Sequence, residues 1–435
     1  MNTTAEFLHI DINSYFATML QQENPKLRGR SIGVIKNEGR TCIIAASKEA
    51  KLLGVKTGMR LQEARTICPQ LITIPAQFEL YADATKRFLH CLEKFSPQIE
   101  VFSLDEAFLA YEPVRHLHPC PQKLGKEIQD AVKQTLGSWV SCNVGIGPSR
   151  FLAKMIGEIS AKGSVEQITE QNIYAVLAST SFEDSCGIGP RLARRLAHIG
   201  VSTPLQLSMI DSSNLESLVG PFWSKELQRM AYGEDPAFLS QLSTGRQHIK
   251  TKSVSRSITL FQLENHPHEQ LQTIQNLGQE VLFKLRQLKL AGRWLGLSLE
   301  GSHQQGHPSL WGKSPTHAQY ASTHMISDAP IHHLDQLSRY LRNLFEQLQP
   351  EWPIIRFRVV MSLLVSENNI QPTLFDQWQK KEQIMQAIQT IQQKHGLYSI
   401  TSARLLNATI INPEVTGYLG DKQFVLRNEN LLSGT

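Results

Sequence analysis

The chain has 435 residues, of which 41% are hydrophobic, and it carries 44 lysines and arginines against 39 acidic residues. This length predicts two to four domains, and the composition excludes a disordered chain. The net charge of +5 is too small to prove a nucleic-acid partner, although it is compatible with one if the charge is unevenly spread. The six cysteines form no C-x-x-C pair, which favours unpaired thiols over a zinc site. Without a signal peptide or an apolar run of about 18 residues, the chain is expected to be cytoplasmic and to have no membrane span.

Strands and helices mix through about the first 165 residues. Apolar runs bounded by Gly, Pro and polar residues predict strands at 6–12, 31–35, 42–47, 98–111 and 138–147. Within the fourth run, a tight turn at Leu104–Asp105 divides two strands. Helical spacing of apolar residues predicts helices over 78–95 and 122–136, and Ser149 is placed to cap another. This mixture is typical of an α+β domain.

The second half of the chain changes character. Residues 166–240 contain short helical segments separated by Gly and Pro. Beyond 245 the pattern predicts a strand at 252–261, a helix at 268–289, a strand at 293–301, a loop at 301–330, a helix at 333–348 and a strand at 354–365. Two strand–helix–strand pieces indicate a separate small α+β domain, followed by a helix at 379–394 and a polar tail.

Three acidic residues lie at strand ends among apolar neighbours. Asp11 lies in FLHIDI, and Asp105 and Glu106 lie between VFSL and AFLAY. Because burying an unpaired carboxylate is very unfavourable, each of them needs a basic partner, backbone donors or a metal ion. Mg²⁺ prefers oxygen ligands and commonly joins one or two carboxylates with substrate phosphates. Together the three suggest such a site, whereas a turn Asp-Glu pair or a strand Asp taken alone is more often structural.

Five ordered segments between about residue 6 and residue 365 resemble the Y-family (translesion) DNA polymerases. HIDINSYFATML resembles the family's first palm motif, VFSLDEAFL its S-[LI]-D-E-A motif, and CIIAASKEAKLLGVKTGM its fingers segment. CNVGIGPSRFLAKM and the following Ala161-Lys162-Gly163 are similar to the end of the palm. Agreement of so many segments in the same order is very specific.

The resemblance implies an α+β multidomain fold, the right-hand polymerase with palm, small fingers, helical thumb and little finger. The implied domains are a palm at 1–22 and 75–165, fingers at 23–74, a thumb with a helix–hairpin–helix at 166–240, a little finger at 245–365 and a C-terminal extension at 366–435.

The resemblance also implies the roles of individual residues. Asp11, Asp105 and Glu106 would hold two Mg²⁺ ions, with the backbone carbonyl of Ile12 as a fourth oxygen ligand. Phe16 would be the steric gate that excludes a 2′-hydroxyl, unless it is an ordinary core aromatic. The nucleotide-binding residues implied are Tyr15, Phe16, Lys48, Lys51 and Lys162. For any one of these lysines, a solvated surface position is an equal alternative.

Some positions point to one branch of the family. Asn13 and Lys51 stand where many members have Asp and Arg, and both are similar to the UmuC branch, the catalytic subunit of bacterial DNA polymerase V. Lys48 stands where many relatives have a triphosphate-contacting Tyr, and Leu20 where an acidic residue is usual. These two departures put nucleotide affinity in doubt more than the chemistry.

Two further regions are expected to hold DNA. SCGIGPRLARRLAHIGV resembles a helix–hairpin–helix, whose Gly187 and Gly189 would let backbone N–H groups approach a phosphate. In IIRFRVV, Arg356 and Arg358 share one strand face and would grip the DNA backbone, an interpretation that Lys250, Lys252 and Arg256 would extend. The alternative is a solvated sheet face.

The C-terminal extension contains a candidate partner segment. Gln371, Leu374 and Phe375 belong to QPTLF, which is similar to the pentapeptide that docks on a sliding clamp. A loop anchored on its own domain is the alternative. The UmuC-like branch also makes a UmuD-like accessory protein a possible partner.

The expected function is template-directed, error-prone DNA synthesis, in which a primer 3′-hydroxyl attacks the α-phosphate of a dNTP and releases pyrophosphate. One alternative is a non-catalytic relative that bridges DNA and the clamp. That class typically loses the metal carboxylates, and this chain keeps all three. A two-metal nuclease would fit the carboxylates but not the fingers and thumb segments.

Overall fold

The computed structural model describes residues 5–35, 42–182, 186–240, 251–301, 319–370, 378–395, 399–400 and 402–405. The chain forms two compact units, one holding the described residues up to 240 and one holding those from 251 onward. In the described part of the chain, no helix is both long and apolar enough to span a membrane.

The first unit is built on a five-stranded sheet. Its elements up to residue 167 are β1 (Phe7–Ile12), α1 (Tyr15–Glu23), β2 (Ile32–Ile35), β3 (Ile43–Ala46), α2 (Lys48–Leu52), α3 (Leu61–Ile67), β4 (Ile72–Pro75), α4 (Phe78–Leu92), β5 (Ile99–Val101), β6 (Glu106–Ala110), α5 (Pro121–Leu136), β7 (Cys142–Gly147), α6 (Arg150–Ile159) and β8 (Val165–Gln167). The sheet order is β5-β6-β1-β7-β8, and all neighbours are antiparallel except the pair β7 and β8.

The two faces of this sheet bury different side chains. On β1, Leu8, Ile10 and Ile12 pack with residues of α4 and α5, such as Phe88 and Ile128, in one large core. The alternate residues His9 and Asp11 point to the opposite face, since successive side chains on a strand alternate. That second face is the one on which α6 lies, so the carboxylate of Asp11 is on the same side of the sheet as α6.

Two glycines let helix α6 approach strand β7 closely. A Cβ atom added at Gly145 would overlap the carbonyl oxygen of Ala153 and lie 2.7 Å from the backbone nitrogen of Gly157. A Cβ at Gly157 would in turn lie 3.4 Å from the backbone nitrogen of Gly145. Ser149 caps this helix as predicted, because its hydroxyl accepts a hydrogen bond from the Leu152 N–H at 3.1 Å.

A smaller three-stranded sheet has the order β3-β2-β4, with β2 antiparallel to β3 and parallel to β4. It has its own core, in which Ile43, Ala46 and Ala64 are fully buried. These strands and helices α2 and α3 lie in the range that the sequence predicts to be fingers.

The rest of the first unit is helical: α7 (Ile173–Ser179), α8 (Pro190–Ala197), α9 (Pro204–Leu207), α10 (Ser212–Val219), α11 (Pro221–Ala231) and α12 (Ala237–Ser240). These helices share a core with Phe108 of the sheet and Phe151 of α6. The turn after α11 is joined to the start of α6, where Ser149 donates a hydrogen bond to the Gly233 carbonyl at 2.6 Å. Arg150 bridges the carboxylates of Glu100 at 2.6 Å and Asp235 at 2.7 Å.

The second unit contains β9 (Ser253–Glu264), α13 (Pro267–Gln287), β10 (Leu290–Gly301), β11 (Tyr320–Ile331), α14 (Leu334–Leu348), β12 (Ile354–Ser366) and α15 (Trp378–His395). Its antiparallel sheet has the order β11-β10-β12-β9. Helices α13 and α14 cover one face of the sheet and bury residues such as Leu297, Phe357 and Val359. The described residues from 251 onward therefore form a small α+β unit.

Besides the short elements α3, β4 and β8, the sequence analysis missed one long strand. Residues 320–331, predicted as part of a loop, form the edge strand β11, which pairs with β10 from Gly292 to Glu300. Its outward residues are exposed and largely polar, and among the described core contacts only Met325 and the terminal Ile331 join the main core. An edge strand of this kind lacks the strong apolar alternation by which a buried strand is recognised.

The contact between α6 and β7 provides a test of the fold. Gly145→Ala is expected to lower the free energy of unfolding by about 1–3 kcal/mol, because the added methyl group has no space. Urea unfolding monitored by circular dichroism measures the change. Gly189→Ala is the control, because no atom lies within 4 Å of its added Cβ. Equal stability of the two variants would contradict the close packing of α6.

Candidate active site

The three predicted carboxylates lie together at one end of the five-stranded sheet. Asp11, near the end of β1, is directly opposite Glu106, the first residue of β6. Opposed residues of an antiparallel pair place their side chains on the same face. Asp105 precedes Glu106, and its carbonyl oxygen accepts a hydrogen bond from the Ile12 N–H at 3.0 Å. The sheet register therefore joins parts of the chain that are far apart in sequence.

Burial and mutual repulsion disfavour ionisation of two of these groups. Burial, followed by the charges of Glu106 and Asp105, raises the pKa of Asp11 to about 7. Burial and the charge of Glu106 raise the pKa of Asp105 to about 6, although a hydrogen bond from the Ser103 hydroxyl opposes this shift. Neither Asp11 nor Asp105 forms an ion pair with a described residue.

Glu106 has the opposite environment. Burial alone would raise its pKa, but a hydrogen bond with His9 and the charge of Lys154 hold the pKa well below its usual value. The Nε2 atom of His9 lies 3.1 Å from Oε2 of Glu106, and the Nζ atom of Lys154 donates to the same oxygen. Lys154 also pairs with Glu158 at 2.8 Å, one turn further along α6.

The donor set fits a hard cation. Carboxylate oxygens are the ligands that Mg²⁺ prefers, and Asp11 and Asp105 are partly buried acids that form no ion pair with a described residue, although the charge of Lys154 lowers both pKa values. In the conformation described, however, no group of three or more His, Cys, Asp and Glu side chains within these ranges is spaced to hold a metal ion. Glu106 is directed instead towards Lys154 and His9.

The two aromatic residues that follow Asp11, Tyr15 and Phe16, have different environments. Tyr15 is buried, and its hydroxyl donates a hydrogen bond to the carbonyl of Tyr81 at 2.7 Å. Its side chain is thus used inside the core, which leaves only its backbone to meet a nucleotide. Phe16 is partly buried, and its ring stacks on that of Tyr81 with centroids 4.2 Å apart.

Two of the three predicted lysines lie near the carboxylates. The pKa of Lys51 is lowered by partial burial and then by the charge of Lys162, and it is raised by the charges of Asp11 and Asp105. The structure therefore brings Lys51 and Lys162 to the carboxylate end of the sheet. Lys48 is exposed at the first position of α2, and no described contact connects it to the carboxylates.

Two residues that depart from the family pattern have structural environments of their own. Leu20 is buried between α1 and the smaller sheet, where it packs with Val34. Asn13 donates hydrogen bonds to the Asn143 side chain at 3.1 Å and to the Ser141 hydroxyl at 3.2 Å. The apolar contact accounts for Leu20, and the polar contacts hold the turn between β1 and α1 against β7.

The glycine turn predicted to bind phosphate precedes helix α8. Gly187 adopts a φ of +90°, and an added Cβ there would overlap the ring of Phe238. Gly189 is the N-cap of α8, and nothing lies within 4 Å of its added Cβ. Backbone at Gly189 is therefore open to a ligand, and glycine is needed at position 187 for the turn itself.

The basic strand face is smaller than predicted. Arg358 is exposed on β12, and Arg356 on the same face pairs with Glu300 at 3.4 Å. Arg256 does not extend this face, because it is opposite Val359 on the side covered by α13 and pairs with Glu280 at 3.1 Å. Lys252 is exposed, and Lys250 lies outside the described residues.

The clamp-binding prediction lies outside the described residues, since Gln371, Leu374 and Phe375 fall between Ile370 and helix α15. The sequence analysis also missed two residues of the site. His9 and Lys154 both contact Glu106, but neither was selected from the sequence. The available signal was a lysine within the otherwise apolar run FLAKMI, four residues before Glu158.

Two family models match this chain. The impB/mucB/samB family model matches residues 10–158, and the model of that family's C-terminal domain matches residues 251–374. The first match contains the three carboxylates, Phe16 and Lys154, and the second covers most of the second unit.

Curated relatives match over most of their length. DNA polymerase IV of Moorella thermoacetica is 28% identical over 402 residues, which is 91% of this chain and 95% of that protein. DNA polymerase IV 2 of Mesorhizobium japonicum is 30% identical over 308 residues, covering 69% of this chain and 73% of that protein. These names do not support the UmuC-like branch that Asn13 and Lys51 suggested.

Solved structures show the same fold. A Y-family DNA polymerase chimera of Dbh and Dpo4 superposes with a TM-score of 0.67 at 21% identity, covering 83% of this chain and 99% of that one. An insertion ternary complex of Dbh DNA polymerase gives a TM-score of 0.51 at 20% identity, with coverage of 82% and 98%. The α+β right-hand fold predicted from the sequence is thereby confirmed. From the two family models and these relatives, the chain belongs to the Y-family of DNA polymerases.

Proposed function

We propose that this chain is a template-directed translesion DNA polymerase that uses two Mg²⁺ ions held by Asp11, Asp105 and Glu106. The observation that carries the proposal is the pairing of Asp11 with Glu106 across β1 and β6, with Asp105 beside them. Two partly buried acids at the end of a sheet, each with a raised pKa and no ion pair to a described residue, are suited to take up a cation.

Each group near the carboxylates has a task in this proposal. Bound Mg²⁺ would activate the primer hydroxyl and offset the charge of the departing pyrophosphate. Lys51 and Lys162 approach the carboxylates and are suited to hold the triphosphate as point charges. Phe16, held by its stacking on Tyr81, is suited to limit the space at the 2′ position of the sugar. Lys48 and the backbone of Tyr15 remain predicted nucleotide contacts.

DNA would be held by sequence-independent contacts. The backbone at Gly187 and Gly189 opens helix α8 to a phosphate, and Arg356 and Arg358 present a basic face on β12. The predicted fingers carry only a small sheet and two short helices, so we infer an open site with low fidelity. The predicted domain boundaries belong to the same proposal.

The alternatives make different predictions. A non-catalytic scaffold would bind primer–template DNA without extending it, whereas a nuclease would release nucleotides in the absence of dNTP. Three retained carboxylates with two nearby lysines favour the polymerase. Primer extension with Mg²⁺, with and without dNTP, separates all three.

The narrower predictions rest on the sequence. A UmuC-like branch and a UmuD-like partner rest on Asn13 and Lys51, against relatives named DNA polymerase IV. The sliding-clamp contact rests on Gln371, Leu374 and Phe375. A cytoplasmic location likewise stays a prediction.

Replacing one carboxylate tests the metal site. Asp105→Asn is expected to reduce primer extension by more than about a hundredfold, because even residues that only orient metal ligands commonly contribute 10- to 100-fold. DNA binding, measured by fluorescence anisotropy, should change little. Asp83→Asn, which removes an exposed acid of α4, is the control and should extend primers normally. Full activity of Asp105→Asn would reject the assignment.

Replacing the stacked ring tests the sugar gate. Phe16→Ala is expected to raise ribonucleotide incorporation relative to deoxyribonucleotide by about tenfold or more, because the 2′-hydroxyl gains space. Single-nucleotide insertion kinetics give the ratio. Phe222→Ala, at an exposed position of α11, should leave the ratio at its original value. An unchanged ratio in Phe16→Ala would assign Phe16 to the core alone.

A paired substitution tests the clamp segment. Changing Leu374 and Phe375 to Ala should weaken sliding-clamp binding by at least about thirtyfold, the usual cost of losing a buried apolar anchor. Surface plasmon resonance on immobilised clamp measures the affinity. The matched control changes Ile384 and Ile391, both exposed on α15. Equal binding by both variants would remove the clamp prediction.

A further inference from the structure

Lys154 is a buried cation directly beneath the carboxylates. It is only 4% exposed, and α6 brings it to Glu106 because Gly145 and Gly157 let that helix approach the sheet closely. Its two ion-pair partners are Glu106 and Glu158. Charged side chains are seldom buried to this extent unless their partners compensate for the lost hydration.

The contacts of Lys154 engage one oxygen of Glu106 and leave the other available. Lys154 and His9 both approach Oε2, whereas no described residue donates a hydrogen bond to Oε1. His9 is fully buried and packs on the ring of Phe108 at 4.8 Å, so this arrangement is enclosed by the protein. Lys154 therefore holds Glu106 through one carboxylate oxygen, and a metal ion would have to compete with Lys154 for this carboxylate.

We propose that Lys154 is a resident counter-ion: it neutralises Glu106 when no metal is bound and weakens metal binding until substrate phosphates arrive. The inference rests on the proposed metal site. It explains why the three carboxylates converge in the described structure without being spaced as a metal-binding group. A triphosphate adds negative charge at the same place, so metal and nucleotide bind better together than either does alone.

The direction of the effect follows from Coulomb's law. A positive charge a few ångströms from a divalent cation is repulsive, and a partly buried site weakens that repulsion less than water does. Removing the charge of Lys154 should therefore tighten metal binding. Removing Glu158, the second partner of Lys154, should leave the lysine charge less compensated and weaken metal binding.

Binding of Mn²⁺ to the full-length protein, without DNA or nucleotide, tests the proposal by electron paramagnetic resonance. Lys154→Met is expected to lower the Mn²⁺ dissociation constant by roughly tenfold or more, and Glu158→Gln to raise it several-fold. In the Lys154→Met background, Glu158→Gln should have a smaller effect because its partner is gone. Addition of Mn²⁺ should raise the Tm of Lys154→Met more than that of the original protein.

Lys123→Met is the matched charge control, since Lys123 is an exposed lysine of α5 paired with Glu127. It should leave Mn²⁺ binding unchanged. The counter-ion role requires tighter Mn²⁺ binding, which mere loosening of the site could not produce. A folded Lys154→Met protein with unchanged or weaker Mn²⁺ binding would therefore overturn that role. Should that variant fail to fold, Lys154→Gln, which keeps a hydrogen-bond donor at this position, decides by the same criterion: tighter Mn²⁺ binding supports the role and unchanged or weaker binding rejects it.

Failure of the proposed metal site gives a different result. In that case the original protein would bind no Mn²⁺, or Asp105→Asn would bind it as well as the original protein does. A site that binds Mn²⁺ through Asp105 and ignores Lys154 would reject the counter-ion alone.

Discussion

The close approach of helix α6 to strand β7 is the contact on which the site depends. Gly145 and Gly157 have no side chains to separate the helix from the strand, so backbone meets backbone. The same close approach brings Lys154 to Glu106. At its other end, α6 is tied through Ser149 and Arg150 to the turn after α11. Helix α6 thus connects the ion pair at Glu106 to the helical part of the first unit.

The first motif shows how a short segment serves both core and site. Strand β1 buries Leu8, Ile10 and Ile12 on one face and places Asp11 on the other. Tyr15 directs its hydroxyl inward to Tyr81, while Phe16 stacks on the ring of that same residue. The core therefore sets the position of Asp11 and Phe16, the residues proposed to meet the metal ion and the sugar.

Much of the local structure could be predicted from the sequence because it depends on local patterns. Apolar alternation placed β1, β6 and β12, and helical spacing placed α5, α13 and α14 within a few residues. The edge strand β11 was missed because one side is solvated and its apolar signal is weak. Arg256 was misplaced because strand parity alone does not show which face a helix covers, and α13 supplies Glu280 on the inner face.

The sequence by itself determined the family, and it singled out the three carboxylates and Phe16 as candidates, because ordered motifs carry residue types that chemistry requires at those points. It could not show that Asp11 meets Glu106, since spacing along the chain says nothing about distance between strands. Sheet register decided that pairing. Tertiary structure alone also decided the environments of two other residues. The hydroxyl of Tyr15 points into the core, and Lys154 of α6 forms an ion pair with Glu106 of β6. The physical reason is common to these cases: burial and charge depend on neighbours in space, and only the folded chain supplies them.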